Sequence, residues 1–107
     1  MSSHITGYND VLDLLTQDIP KDAFRRKVIL DQISDSFYTI MFTDSELGPD
    51  GEPIMHRTHR SGDECWSGKA SAIVAQLYRE GFITSLTYGH YYDTYITKYG
   101  VILEVTH

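Results

Sequence analysis

The sequence predicts a small α+β domain that spans residues 1–107 and folds as a single unit. Its 107 residues suffice for one hydrophobic core but leave no room for a second. Hydrophobic residues make up 41% of the chain and charged residues 22%, which is ordinary globular composition. Apolar residues at helical spacing near the N-terminus and again after residue 60, with strand-like segments between and after them, indicate both types of element.

Two helices are predicted near the N-terminus. The first runs from Tyr8 to Ile19, because apolar residues recur at helical spacing at Val11, Leu14, Leu15 and Ile19. Pro20 then suits the first turn of a second helix, whose apolar positions are Ala23, Phe24, Val28, Ile29 and Ile33. The run Val28-Ile29-Leu30 leaves open the alternative that a strand begins there.

A β-hairpin and a third helix follow. The segment 36–43 is rich in Phe, Tyr, Ile and Thr, and the segment 53–59 can return beside it across a turn that contains Pro49-Asp50-Gly51. The third helix begins at Asp63, which suits an N-cap, and ends near Gly81. Its apolar residues share one face and are Trp66, Ala70, Ile73, Val74 and Leu77.

The C-terminal part predicts a three-stranded antiparallel meander. Its strands are 82–88, 91–97 and 101–106, with turns at Gly89-His90 and near Tyr99-Gly100. A two-residue loop at Gly89-His90 determines which residues share a face, because side chains alternate along a strand. The predicted core face, which covers the third helix, contains Ile83, Ile96, Val101, Leu103 and Val105.

The opposite face of the meander is the predicted binding surface, because it mixes tyrosine rings with carboxylates. Tyrosine provides a large amphipathic contact area, and aromatic residues are enriched at the centres of interfaces. The residues predicted to contact a partner are Tyr88, Tyr91, Asp93, Tyr95 and Glu104. The alternative is a half-solvated face with ordinary cross-strand pairs, or one covered by the first helix, and a slip of one residue would exchange the two faces.

Charge and cysteine content narrow the choice of partner and compartment. Fifteen Asp and Glu residues against nine Lys and Arg residues give a net charge of −6, which disfavours nucleic acid and favours a basic partner, such as a nucleic-acid-binding protein. The first residues lack the features of a secretory signal and no long apolar stretch occurs, so we expect a cytoplasmic protein without membrane contact. The single cysteine, Cys65, needs no oxidising compartment.

Catalytic and metal-binding patterns are weak, and we predict no catalytic residue, no metal site and no cofactor. His56, His59, Cys65 and His90 are of the types that bind zinc. However, residues separated by three positions in a strand, such as the first two histidines, point to opposite faces. Nothing in the sequence brings a histidine to Cys65 as a general base for a nucleophilic thiol. A zinc-dependent or Cys/His-dependent enzyme is therefore the least favoured hypothesis.

Arg57, Arg60 and Lys69 carry an alternative, nucleic-acid-binding hypothesis. The helix from Asp63 to Glu80, followed by Gly81 and a hairpin, resembles the recognition helix and wing of winged-helix proteins. This resemblance implies that the three basic residues contact DNA or RNA, although a helix that begins with two acidic residues is poorly suited to binding in a nucleic-acid groove.

The leading hypothesis is a non-enzymatic protein-binding module that acts as an inhibitor, analogous to phage or mobile-element antagonists and immunity proteins.

Overall fold

The computed structural model describes residues 7–17, 24–60 and 65–106, except for the side chains of residue 24 and residues 55–60. Within these ranges the chain forms two helices and seven strands. In chain order they are α1 (Tyr8–Thr16), β1 (Phe24–Ser34), β2 (Phe37–Leu47), β3 (Pro53–Arg60), β4 (Trp66–Ser67), α2 (Ala70–Arg79), β5 (Ile83–Thr87), β6 (Tyr92–Thr97) and β7 (Ile102–Thr106).

The architecture is mostly β, and the prediction of an α+β domain with three helices and a separate C-terminal meander is wrong. About half of the described residues lie in strands, and the strands form one curled, mixed sheet with the shape of half a barrel. The strand order is β3-β2-β1-β7-β6-β5. The short strand β4 is not in this order and pairs antiparallel with the first residues of β2. Because β7 runs parallel to β1, the last three strands extend the N-terminal sheet instead of forming a sheet of their own.

The predicted second N-terminal helix is a strand, β1. Arg26, Val28 and Leu30 are buried, whereas Lys27 and Ile29 are half-buried, so burial follows the two-residue period of a strand. The β-branched valine and isoleucine favour this conformation. A tight turn at 35–36 lets β2 pair with β1 along most of its length. Long-range pairing thus outweighs the helical spacing of the apolar residues in this segment.

β2 has strand partners on both sides. It pairs antiparallel with β3 across the loop that contains Pro49-Asp50-Gly51, as the hairpin prediction proposed, and it also pairs with β1. In the loop, the Gly51 amide donates a hydrogen bond to the Gly48 carbonyl over 2.9 Å. Gly51 has a φ of 81°, a left-handed conformation that glycine adopts readily. β2 is therefore an interior strand of the sheet.

The third predicted helix, α2, begins at Ala70 and is shorter than expected. Asp63, its predicted N-cap, lies outside the described residues. The chain at 66–67 is extended and pairs with the first residues of β2. Gly68, with a φ of 110°, redirects the chain toward the helix. The Ala70 amide then donates to the side-chain oxygen of Gln32 over 2.8 Å, so a side chain from β1 takes the role expected of an N-cap.

The hydrophobic core lies between one face of the sheet and the two helices. The α2 residues predicted to be apolar core are buried, and so are three residues at and just before β7, as expected; they are Ala70, Ile73, Val74, Leu77, Val101, Leu103 and Val105. Trp66 and Ile83 are partly buried and pack against this core. Ile96 was predicted to join the core but is exposed, because β6 turns its other face inward.

Candidate functional site

The orientation of β6 decides which of the predicted site residues are exposed. Tyr95 pairs directly with Leu103 of β7, and directly opposed residues share a face, so Tyr95 lies on the core face. The cause is the turn between the two strands, which contains three residues instead of two. The Thr97 amide donates to the Val101 carbonyl over 3.1 Å, and Gly100 between them has a φ of 80°. The additional turn residue reverses the face that β6 presents.

The five residues predicted to contact a partner therefore do not share one face. Tyr88 and Tyr91 are 78% and 72% exposed, in the loop between β5 and β6. Tyr95 is only 8% exposed and belongs to the core. Asp93, two residues before it in β6, is half-buried on the same face, and Glu104 is half-buried on the opposite face of β7. The structure therefore leaves the first two tyrosines exposed and places Glu104 on the face opposite to Asp93 and Tyr95.

A pocket of about 500 Å³ opens between α2 and the sheet. It is lined by Gln32, Lys69, Ala70, Ser71, Val74, Ala75, Tyr78, Asp93, Tyr95, Val105 and Thr106. Two of the predicted site residues, Asp93 and Tyr95, thus lie together in a cavity instead of on an open surface. Pockets of this volume, with apolar walls and a few polar groups, are typical of binding sites.

Gln32 holds the walls of the pocket in place. Its backbone amide donates to the hydroxyl of Thr106 in β7 over 2.7 Å. Its side-chain oxygen accepts from the Ala70 amide at the start of α2, and its side-chain nitrogen lies within hydrogen-bonding distance of three carbonyls, those of Ser34, Phe37 and Gly68. This one residue, through its backbone amide and its side chain, therefore joins the β1–β2 hairpin, β7 and the helix start. This role could not be predicted from the sequence, because it depends on groups distant along the chain.

The phenol of Tyr95 is held in its neutral form. Burial is the largest cause that raises the pKa of Tyr95, and the charges of Asp93, Tyr78 and Tyr88 raise it further. The Tyr78 ring meets the Tyr95 ring edge-on, with the centroids 6.1 Å apart. The pocket wall on this side therefore combines two aromatic rings with a carboxylate. Tyr78 was not predicted as a site residue, because it lies outside the apolar face of its helix and is exposed.

Exposed apolar and aromatic side chains gather at one end of the sheet, which we call the tyrosine end. Here β1, β5 and β7 end while β2 and β6 begin. The exposed side chains at this end are Ile33, Phe37, Tyr88, Tyr91 and Tyr92. The His90 ring meets the Tyr91 ring edge-on, with centroids 4.5 Å apart. Thr106 and Gln32, which line the pocket, lie at the same end.

The other predicted constellations receive no support from the described part of the chain. The side chains of His56, His59, Arg57 and Arg60 lie outside the described residues, and Cys65 is exposed. Among the described residues, no three His, Cys, Asp or Glu side chains are grouped to hold a metal ion. The fold does not resemble that of winged-helix proteins, since the described part of the chain has two helices packed on one mixed sheet of seven strands.

Comparisons with protein-family models, with curated proteins and with solved structures gave no match. In the ranges that the structure describes, neither helix is long and apolar enough to cross a membrane. The longer of the two, α2, has ten residues, and four of them are buried in the core. The chemistry of the tyrosine end and of the adjacent pocket is therefore the basis for the functional proposal.

Proposed function

We propose that the protein is a non-enzymatic protein-binding module and that the tyrosine end is its binding surface. The observation that carries this proposal is the exposure of Tyr88 and Tyr91, at 78% and 72%, beside the pocket between α2 and the sheet. Clustered aromatic side chains at a surface are typical of interface centres. An adjacent pocket lets a partner insert a side chain, which is how anchor residues are commonly bound.

The charge of the protein supports a basic partner. The net charge is −6, and complementary charge accelerates association and selects among partners. A nucleic-acid-binding protein, which carries a basic surface, is the partner class that we expect. The role as an inhibitor stays a prediction.

The test is a double substitution, Tyr88→Ala with Tyr91→Ala, in the full chain. Loss of two aromatic anchors should weaken partner binding by at least about 2 kcal/mol, or roughly 30-fold in Kd. The immobilised wild type first identifies the protein that it captures from cells in which the chain occurs naturally, and calorimetry then measures affinity with that purified protein. Both tyrosines are exposed, so circular dichroism should show an unchanged fold.

Tyr99→Ala is the matched control, because Tyr99 is also exposed but lies in the turn between β6 and β7, at the opposite end of the sheet. It should bind the partner like the wild type. Equal affinity of the folded double variant and the wild type would contradict the proposed surface. Capture of DNA or RNA instead of a protein, in a manner that the double substitution does not change, would contradict the proposed function itself.

A further inference from the structure

The pocket between α2 and the sheet has one wall that suits a positive charge. Asp93 and Tyr95 of β6 lie on this wall, and Tyr78 of α2 lies across from them. The two tyrosine rings offer π faces and edges to a ligand, and the carboxylate offers a negative charge within a partly enclosed space. Val74, Ala75 and Val105 form an apolar part of the lining beside that charge.

Among the described residues that line the pocket, Asp93 of β6 is the one carboxylate. Lys69 also lines the pocket, but it precedes the first residue of α2 and is exposed. The negative charge therefore lies on the β6 wall, beside Tyr95, while the lysine lies toward solvent.

We propose that this pocket receives the cationic side chain of an arginine or a lysine from the protein partner. The inference rests on the proposed function and specifies the chemistry of the anchor that the partner inserts. A guanidinium or ammonium group would pair with the Asp93 carboxylate and contact the Tyr78 and Tyr95 rings, and its methylene groups would pack against the apolar lining. The volume of about 500 Å³ exceeds that of one side chain and leaves space for its flanking backbone.

The ligand preference can be measured without the partner, by following the backbone amides of the full chain in an NMR titration. The probes are N-acetyl-arginine amide and N-acetyl-lysine amide, with N-acetyl-citrulline amide and N-acetyl-norleucine amide as neutral counterparts. A cationic probe should bind with a Kd of about 1 mM, as small ligands of this size do, and should shift the amides of α2 and β6. The neutral probes should bind at least about tenfold more weakly, since they lack a charge-assisted hydrogen bond.

Two substitutions and one control variant localise the binding. Asp93→Asn removes the negative charge from the pocket and should weaken binding of the cationic probe by about tenfold or more. Glu104→Gln is the control, because it removes a negative charge from the opposite face of the sheet and should leave the Kd unchanged. Ala75→Phe fills the pocket from an exposed helix position and should abolish binding without affecting the fold, even where Asp93→Asn fails to fold. Equal affinity for arginine and citrulline amides would overturn the proposal, as would tighter binding of N-acetyl-glutamate amide or unchanged binding by the Ala75→Phe variant.

Failure of this inference is distinguishable from failure of the proposed function. If the partner needs Tyr88 and Tyr91 but arginine and lysine amides do not bind the pocket, the protein-binding function stands and the cationic anchor is wrong. If the cationic probes bind the pocket as described but binding of the captured protein tolerates both tyrosine substitutions, the pocket chemistry stands and the tyrosine end is not the docking surface.

Discussion

At the scale of single residues, Arg26 is the charged side chain that is most deeply buried in the described part of the chain. It is only 7% exposed, and its guanidinium binds both carboxylate oxygens of Asp44 at 2.8 and 3.1 Å. Its remaining terminal nitrogen donates to the carbonyls of Leu14 and Gln17, at the C-terminal end of α1. The guanidinium also lies over the ring of Phe42. One arginine of β1 thereby attaches α1 to the sheet, where a positive charge complements the helix dipole.

We therefore expect Arg26→Met to destabilise the fold by about 3–5 kcal/mol, because it leaves Asp44 partly buried without its ion-pair partner. Urea denaturation followed by circular dichroism measures this loss. Lys27→Met is the control: its ammonium lies 3.8 Å from Glu104 but is 42% exposed, and such pairs contribute only about 0–1 kcal/mol. Similar losses in the two variants would show that the Arg26 network contributes no more than a surface ion pair.

At the scale of elements, the fold depends on the packing of α2 against the sheet. Leu77 near the end of α2 and Leu103, the second residue of β7, are both fully buried members of the same core. A helix of ten residues is not stable alone in water, so this packing is what maintains α2. The same packing positions one wall of the pocket, because Val74 is buried in the core and also lines the cavity.

Leu77→Ala and Leu103→Ala should each destabilise the protein by about 2–5 kcal/mol, since truncation of a buried leucine removes apolar burial and leaves a cavity. Tyr91→Ala should change stability by no more than about 0.5 kcal/mol, because Tyr91 is 72% exposed. Chemical denaturation of the three variants under identical conditions compares these values. If Tyr91→Ala were the most destabilising of the three, the assignment of the core face would be wrong.

At the scale of the whole molecule, three tyrosines link stability to alkaline pH. Burial is the largest cause that raises the pKa values of Tyr8, Tyr38 and Tyr95, and nearby negative charges add to it. The pKa of Tyr38 reaches about 12, compared with an ordinary value of 10.0. A phenol whose pKa is raised in the folded state favours folding below its unfolded pKa and loses this contribution as pH rises through the folded value.

The free energy of unfolding should therefore show no tyrosine-dependent loss below pH 10 and should fall between about pH 10 and 12, the range set by the Tyr38 pKa values. Urea midpoints measured at a series of pH values test this expectation. Tyr38→Phe removes one of the titrating groups, so its stability should fall less steeply over the same interval. A parallel decline in the variant and the wild type would exclude Tyr38 as a source of the alkaline loss.

The sequence alone predicted the local features whose cause is local. The amphipathic spacing of Ile73, Val74 and Leu77 indicated a helix with a buried face, and α2 has one. The alternation of Val101, Leu103 and Val105 indicated the buried face of the last strand. A turn at Gly89-His90 was predicted from the glycine between two strand-like segments, and the structure has a loop there that also includes Tyr88 and Tyr91, which were predicted as strand residues. In each case neighbouring residues suffice to specify the pattern.

Only the tertiary structure decided the class of fold and the composition of the site. The segment 24–34 carries apolar residues at helical spacing, yet it pairs with β2 on one side and with β7 on the other. The face of Tyr95 depends on a three-residue turn, and a change of one residue there moves every side chain of β6 to the other side. Gln32 and the pocket beside it join groups that are far apart along the chain. Strand pairing, register and cavities arise between distant segments, so no window of sequence specifies them; they depend on which pairing buries the most apolar surface while satisfying the backbone.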